Sequence, residues 1–401
     1  MSRIPQIIHT EFSTLWKFSL LSFVIAGLTG FLYRFGFLMP LPEWLHLGNI
    51  RHAHSHLMFF NWITPPILIW MAAEVIGGED KDSFYRIKQS IYTMMCLGLL
   101  SWPFFLLYGY RPVSIGSADL PVAAMLSGLV MITWYWFGVL YYKARQSLKS
   151  ASLSVMLFDG ALAALVVSSL GAWGVSVYQF SPLESPLISK ALTSFFLGVF
   201  TEGWVVLGVL GILWSGVNRP KLNIKEGWFW KPVLFGAMLI SPFSLNPTIL
   251  TSPMLYSAKA GLLLIVVGLS INLFGLMRSS FAASAIGMVI LLLLGLKILF
   301  QAGALFPTGI WPGEHGLRIL YLHLVLLGFG TTGLITAFYP ATATLTKWSY
   351  VVAMAAVLIT LGMFSGYWPG IFIPQHFVYW LAGAALLPVL PMARLLIGGR
   401  V

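Results

Sequence analysis

Charge is scarce in this sequence: Asp, Glu, Lys and Arg make up 9% of its 401 residues, against roughly 25% in an ordinary water-soluble domain. A water-soluble fold is therefore excluded. Cysteine is scarcer still. The one cysteine, Cys96, lies inside an apolar run, which excludes a disulfide framework, a thiolate metal site and a Cys-x-x-Cys-His attachment for covalent haem. Low-complexity segments and repeats of a fixed short period are absent. Acidic residues are few, 12 against 23 basic ones, for a net charge of +11. The basic residues are spread thinly over short loops rather than gathered on one face, so they imply no nucleic-acid partner and report topology instead.

What the chain has in quantity is hydrophobic side chains, 58% of all residues. Apolar runs long enough to cross a hydrocarbon core of about 30 Å recur along its length. The expected spans are 16–38, 52–77, 91–110, 120–142, 155–178, 187–216, 229–245, 254–277, 282–306, 316–340, 348–368 and 376–397. Breakers separate them, among them Met39-Pro40-Leu41-Pro42, Gly77-Gly78, Ser181-Pro182, Asn246-Pro247 and Trp311-Pro312-Gly313. The fold class expected is all-α, a single polytopic membrane domain over 1–401 with twelve transmembrane helices and lipid as its surroundings. The polar stretch Met1 to Thr14 has no clear small-residue cleavage site, so the first run reads as a retained helix.

Topology is set by the basic residues. On the N-terminal side of such a bundle lie sixteen: Arg3, Lys17, Lys81, Arg86, Lys88, Lys143, Arg145, Lys149, Arg219, Lys221, Lys225, Lys231, Arg278, Lys347, Arg394 and Arg400. The opposite side has Arg51, Arg111, Lys190 and Arg318, while Arg34, Lys259 and Lys297 fall within spans. The positive-inside bias then places both termini in the cytoplasm of an inner-membrane protein.

Five of the eight histidines, His52, His54, His56, His315 and His323, cluster at the outer ends of spans 2 and 10. A buried imidazole costs a few kcal/mol unless it is hydrogen-bonded or coordinated, so intramembrane histidines are functional candidates. On a helix His52 and His56 share a face, and His54 is turned about 200° from each. One metal ion cannot take all three. His54 and His323 lie at matched depth on separate helices, the arrangement that a six-coordinate haem requires of its two axial imidazoles. Arg51 and Arg318, one turn away, can pair with the haem propionates bidentately. Spacing alone also allows a plainer reading, in which these histidines are interfacial residues bonded to helix ends and water.

The flanking residues add a resemblance. Arg51-His-Ala-His54-Ser-His-Leu-Met-Phe-Phe-Asn-Trp62 resembles the helix-2 motif of subunit I of the haem-copper oxidase superfamily, most closely that of C-type oxidases and nitric oxide reductases. Tyr321-Leu-His323-Leu-Val-Leu-Leu-Gly328-Phe329-Gly-Thr-Thr-Gly333-Leu-Ile-Thr336 is similar to the family's helix-10 motif. The resemblance implies that His54 and His323 ligate a low-spin haem b. It also marks departures. Tyr321 stands where the family has the high-spin haem ligand, and it reads either as a tyrosinate ligand or as a neutral tyrosine on a packed face. Spans 6 and 7 carry none of the histidines of the family's copper site.

Further polar residues fall where ionised groups are expensive: Asp159, Glu202, Lys259, Asn272, Lys297 and Gln301. Glu202 and Lys297, both near mid-membrane, read as a proton or ion relay, as an anchor for a quinone or second cofactor, or as a pair that locks helix order. His376 joins His52, His56 and His315 as candidates for a second metal site, or is an interfacial histidine without metal. The function expected is that of a haem-b membrane cytochrome in electron transfer or quinol oxidation, with a redox partner subunit or cytochrome. The rival expectations are a divergent terminal reductase with non-family metal ligands and a metal or solute transporter.

Overall fold

The computed structural model describes residues 3–76, 81–148, 150–179, 181, 185–217, 224–245, 247–306, 314–339 and 344–398. The breakers Gly77-Gly78, Pro182, Asn246 and Trp311-Pro312-Gly313, and the basic residues Lys149, Arg219, Lys221 and Arg400, lie outside these. A short helix α1 (Arg3–Glu11) is followed by α2 (Ser13–Phe35), α3 (Leu47–Ile76), α4 (Lys81–Tyr108), a hairpin of β1 (Val113–Ile115) and β2 (Ala118–Leu120), and α5 (Val122–Gln146). Then come α6 (Leu153–Gln179), α7 (Pro186–Ser215), α8 (Lys231–Leu239), α9 (Ser252–Met277), α10 (Ala285–Gly303), α11 (His315–Phe338), α12 (Thr344–Phe364) and α13 (Phe377–Gly398). The protein is an all-α membrane protein, apart from that hairpin among the described residues.

Among the described residues eleven helices are long and apolar enough to cross a membrane: all but α1 and α8. Ten of them begin within about five residues of the expected spans. Helix α4 begins at Lys81 rather than at 91, because the polar stretch Ser83–Ser90 lacks proline and glycine and the helix continues through it. The seventh expected span, 229–245, is the nine-residue α8 flanked by 3-10 turns at Glu226–Phe229 and Ser241–Ser244. Pro232 lies in the first turn of α8 and Pro242 follows its end, where the missing N–H and fixed φ stop an α-helix from running on.

Among the described residues three long helices contain a wider π-helical segment: Met58–Ile63 in α3, Val199–Val205 in α7 and Leu324–Thr331 in α11. In the last of these Thr331 Oγ1 donates to the Leu326 carbonyl five residues back, at 2.9 Å. Such insertions rotate the remainder of the helix about its axis and cluster at functional sites.

The chain packs as two compact units, Met1–Leu148 with Phe338–Met363 and Trp368–Val401, and Lys149–Ala337 with Phe364–Tyr367. In the first, α2 packs on α3 and α13, α3 on α4, and α4 on α5. Trp16 is fully buried there; its ring stacks on Phe338 at 4.0 Å and its Nε1 donates to Tyr339 Oη at 3.0 Å. In the second unit α6 packs on α7, α8 on α9, and α10 on α9 and on the π segment of α11. A Cβ on Gly236 would lie 2.4 Å from the Gly261 carbonyl oxygen, so only glycine lets α8 and α9 approach this closely. Asn272, fully buried in α9, donates to the carbonyls of Phe229 (2.6 Å) and Gly268 (2.8 Å) and accepts from Trp214 Nε1 (3.0 Å). That polar residue is a tie between α9, α7 and the entry to α8.

Candidate functional site

The histidines of α3 divide between its two faces. His54 turns toward α2, where its Nδ1 lies 2.7 Å from the Ala26 carbonyl oxygen. A carbonyl only accepts, so Nδ1 carries the proton, and in the neutral ring the lone pair is on Nε2. Gly30, one turn further along α2, makes room for the imidazole: a Cβ there would lie 2.9 Å from both Cε1 and Nδ1 of His54. The ring is thus held by a hydrogen bond at one edge and by backbone at its side.

His52 and His56 turn the other way. His56 is stacked on Phe105 with ring centroids 3.9 Å apart and 17° between planes, and its Nε2 is 3.0 Å from Tyr110 Oη. His52 meets the Tyr110 ring edge-on at 4.9 Å. Burial pushes the Tyr110 phenol up from its ordinary value of 10.0 to about 12, against the lowering effect of Arg51. Tyr110 therefore stays protonated at neutral pH, and the tautomer of His56 sets which of the two groups donates in their hydrogen bond. Arg51 itself is exposed. Its carbonyl accepts from Ser55 Oγ at 2.9 Å.

In the second unit His323 ends the first α-helical stretch of α11, immediately before its π segment. Its Nδ1 is 2.8 Å from the Ile319 carbonyl oxygen, which fixes the same tautomer as in His54. Arg318 is partly buried one turn earlier, and its backbone N–H donates to the Glu314 carbonyl at 2.8 Å. His315 is exposed at the start of α11. His376, in the first unit, is exposed and meets the Tyr379 ring edge-on at 6.0 Å.

Tyr321, two residues before His323 and so on the opposite side of α11, belongs to a buried polar cluster. Its hydroxyl donates to Glu202 Oε1 at 2.5 Å. Glu202 Oε2 accepts from Lys297 Nζ at 2.6 Å and from Gln301 Nε2 at 3.1 Å, and Lys297 Nζ also donates to Gln301 Oε1 at 2.9 Å. Glu202, Lys297 and Gln301 are 1%, 0% and 5% exposed. Lys297 and Gln301 sit one turn apart on α10, Glu202 in the π segment of α7 and Tyr321 on α11, so four side chains tie three helices together. The carboxylate and ammonium cancel, and each has further hydrogen bonds, which is what makes a buried ion pair tolerable in an apolar interior. A phenol that donates to a carboxylate keeps its proton and is not a tyrosinate.

Each of the two axial candidates fits an iron-ligating role on the chemistry of its own surroundings. Metal-bound imidazoles characteristically donate their second nitrogen to a carbonyl or carboxylate, which fixes the ring and raises its basicity. Among the described residues no group of three or more His, Cys, Asp or Glu side chains is placed to hold a metal ion. The sequence singled out His54, His323, Glu202 and Lys297 because polar groups in apolar runs stand out, and the structure brings the last two into contact. Sequence reasoning missed Ala26, Gly30, Phe105 and Tyr110, whose roles depend on which helices touch. Comparison of the chain with models of known protein families and with curated proteins gives no match.

Proposed function

We propose that the chain is a b-type haem-binding membrane protein on the subunit I plan of the haem-copper oxidase superfamily, working in electron transfer or quinol oxidation with a partner protein. In this reading it works without a copper-haem reduction centre. His54 and His323 are the axial ligands. When bound, the haem supplies a one-electron iron couple. The protein's own part is to fix two neutral imidazoles by their Nδ1–H groups and to keep water from the iron.

The observation that carries the reading is the matched setting of the two histidines: each donates Nδ1–H to a backbone carbonyl, at 2.7 Å in His54 and 2.8 Å in His323. The engagement of Tyr321 with Glu202 supports the absence of a high-spin haem ligand at that position. With α8 and its flanking turns as a twelfth crossing, both termini are cytoplasmic, and the histidines face the outer side of the inner membrane. The Glu202–Lys297 cluster then serves to lock helix order.

His54→Ala and His323→Ala are each expected to abolish the low-spin haem spectrum of the purified protein, whereas His9→Ala, on α1, leaves it intact. A normal bis-histidine spectrum in both ligand variants would overturn the pairing.

A further inference from the structure

Lys347 is the fourth residue of α12, a helix of 21 residues that begins at Thr344. It is 7% exposed, and among the described residues it has no hydrogen-bond or ion-pair partner. Its own surroundings in the chain supply no counter-ion. No Asp or Glu follows Glu314, so α12 and α13 hold no carboxylate, and α2 holds none either. Lys347 turns toward α2: Tyr350, three residues on and so on the same face, meets Phe23 of α2 with ring centroids 6.5 Å apart. Leu345 and Val352, on the other side of α12, are exposed.

Two costs fall on this ammonium. A buried charge without a partner is expensive in an apolar bundle, and the first turn of a helix is the positive end of its dipole, where a further cation is repelled. One anion relieves both. The first-turn N–H groups have no partners within the helix and favour negative charge. Side chains on an α-helix lean toward its N-terminus, so the Lys347 side chain leans over that same turn. We infer that Lys347 and the first turn of α12 form an oxyanion site that takes a phosphate group, carried by a lipid headgroup or free in water. In the topology proposed above this end of α12 is the cytoplasmic one, where both sources are at hand.

The test follows the melting temperature of the full chain, purified in a neutral detergent and depleted of lipid phosphorus. The probes are sodium phosphate against sodium chloride of equal ionic strength, and micelles with phosphatidylglycerol against phosphatidylcholine. Phosphate also stabilises folded proteins in general, by exclusion from their surface, so variants are compared in the same buffer. Wild type should show a saturating rise with at least one of the two phosphate probes. Lys347→Met should melt higher than wild type without any anion, since it removes an uncompensated charge, and should need at least about tenfold more probe for the same rise. Lys347→Gln carries the same expectation should the methionine variant fail to fold. Lys347→Arg and the exposed control Arg394→Leu should respond as wild type. A rise with both probes assigns the site to phosphate at large, and a rise with phosphatidylglycerol alone assigns it to a headgroup. No saturating rise in wild type, a wild-type response in Lys347→Met or Lys347→Gln, or an equal loss in Arg394→Leu would overturn the site.

Discussion

A neutral imidazole inside an apolar bundle loses a few kcal/mol unless its nitrogens find partners. The Ala26 carbonyl serves one nitrogen of His54, and the function proposed above gives the other to iron. The ring has little freedom to adjust, since backbone lies against it at Gly30. Gly30→Val should therefore displace the imidazole, at a cost of about 1–3 kcal/mol. A several-fold fall in haem content per protein, with helix content by circular dichroism unchanged, is the expected result; full haem content would show that the ring has room to move. Tyr110 makes a second prediction through pH. Its folded pKa is raised from 10.0 to about 12, so between those values the folded state holds a proton that the unfolded state has lost. Stability from this group is full below pH 10 and declines as the pH rises toward 12. Tyr110→Phe should flatten that decline in alkaline melting curves, and a curve that still falls as in wild type would locate the effect in other groups. Glu202 and Lys297 stood out in the sequence because each is a lone charge in an apolar run, and His54 because it belongs to a histidine cluster at the start of one. Gly30, Phe105 and Tyr110 did not, because a glycine or an aromatic residue in an apolar run has no distinguishing context until its neighbour on another helix is known.

The long helices were legible for the same reason that they form: apolar side chains satisfy lipid, and an α-helix satisfies its own backbone. Their interruptions were not. A π turn leaves no residue pattern, yet the three such segments lie beside or at the candidate groups: Met58–Ile63 four residues after His54, Val199–Val205 around Glu202, and Leu324–Thr331 directly after His323. With α8 counted as a span, these are the second, sixth and tenth. The extra residue in α7 goes with a carboxylate aimed at α10 and α11, and the tie it makes predicts a definite pattern of stabilities. Lys297→Met leaves Glu202 buried without its counter-ion and should cost about 3–5 kcal/mol. Glu202→Gln combined with Lys297→Met removes both charges and should recover most of that loss. Thermal melts in detergent distinguish this from independent, additive effects, which would show that the pair is not coupled.

At the scale of the whole chain, topology turns on α8. Among the described residues eleven helices have the length and hydropathy of a span, and an odd number of crossings would put the chain's two ends on opposite sides. If α8 with its 3-10 turns crosses as well, reporters fused to the N- and C-termini should both read as cytoplasmic; opposite readings would mean that this segment folds back within one leaflet. The central claim is tested most directly by the pyridine haemochrome and the reduced-minus-oxidised spectrum of the purified protein. The expected result is protohaem with the sharp low-spin bands of two imidazole ligands, unchanged by carbon monoxide because both axial positions are filled. A colourless preparation, or a haem that binds carbon monoxide and couples magnetically to copper, would contradict it.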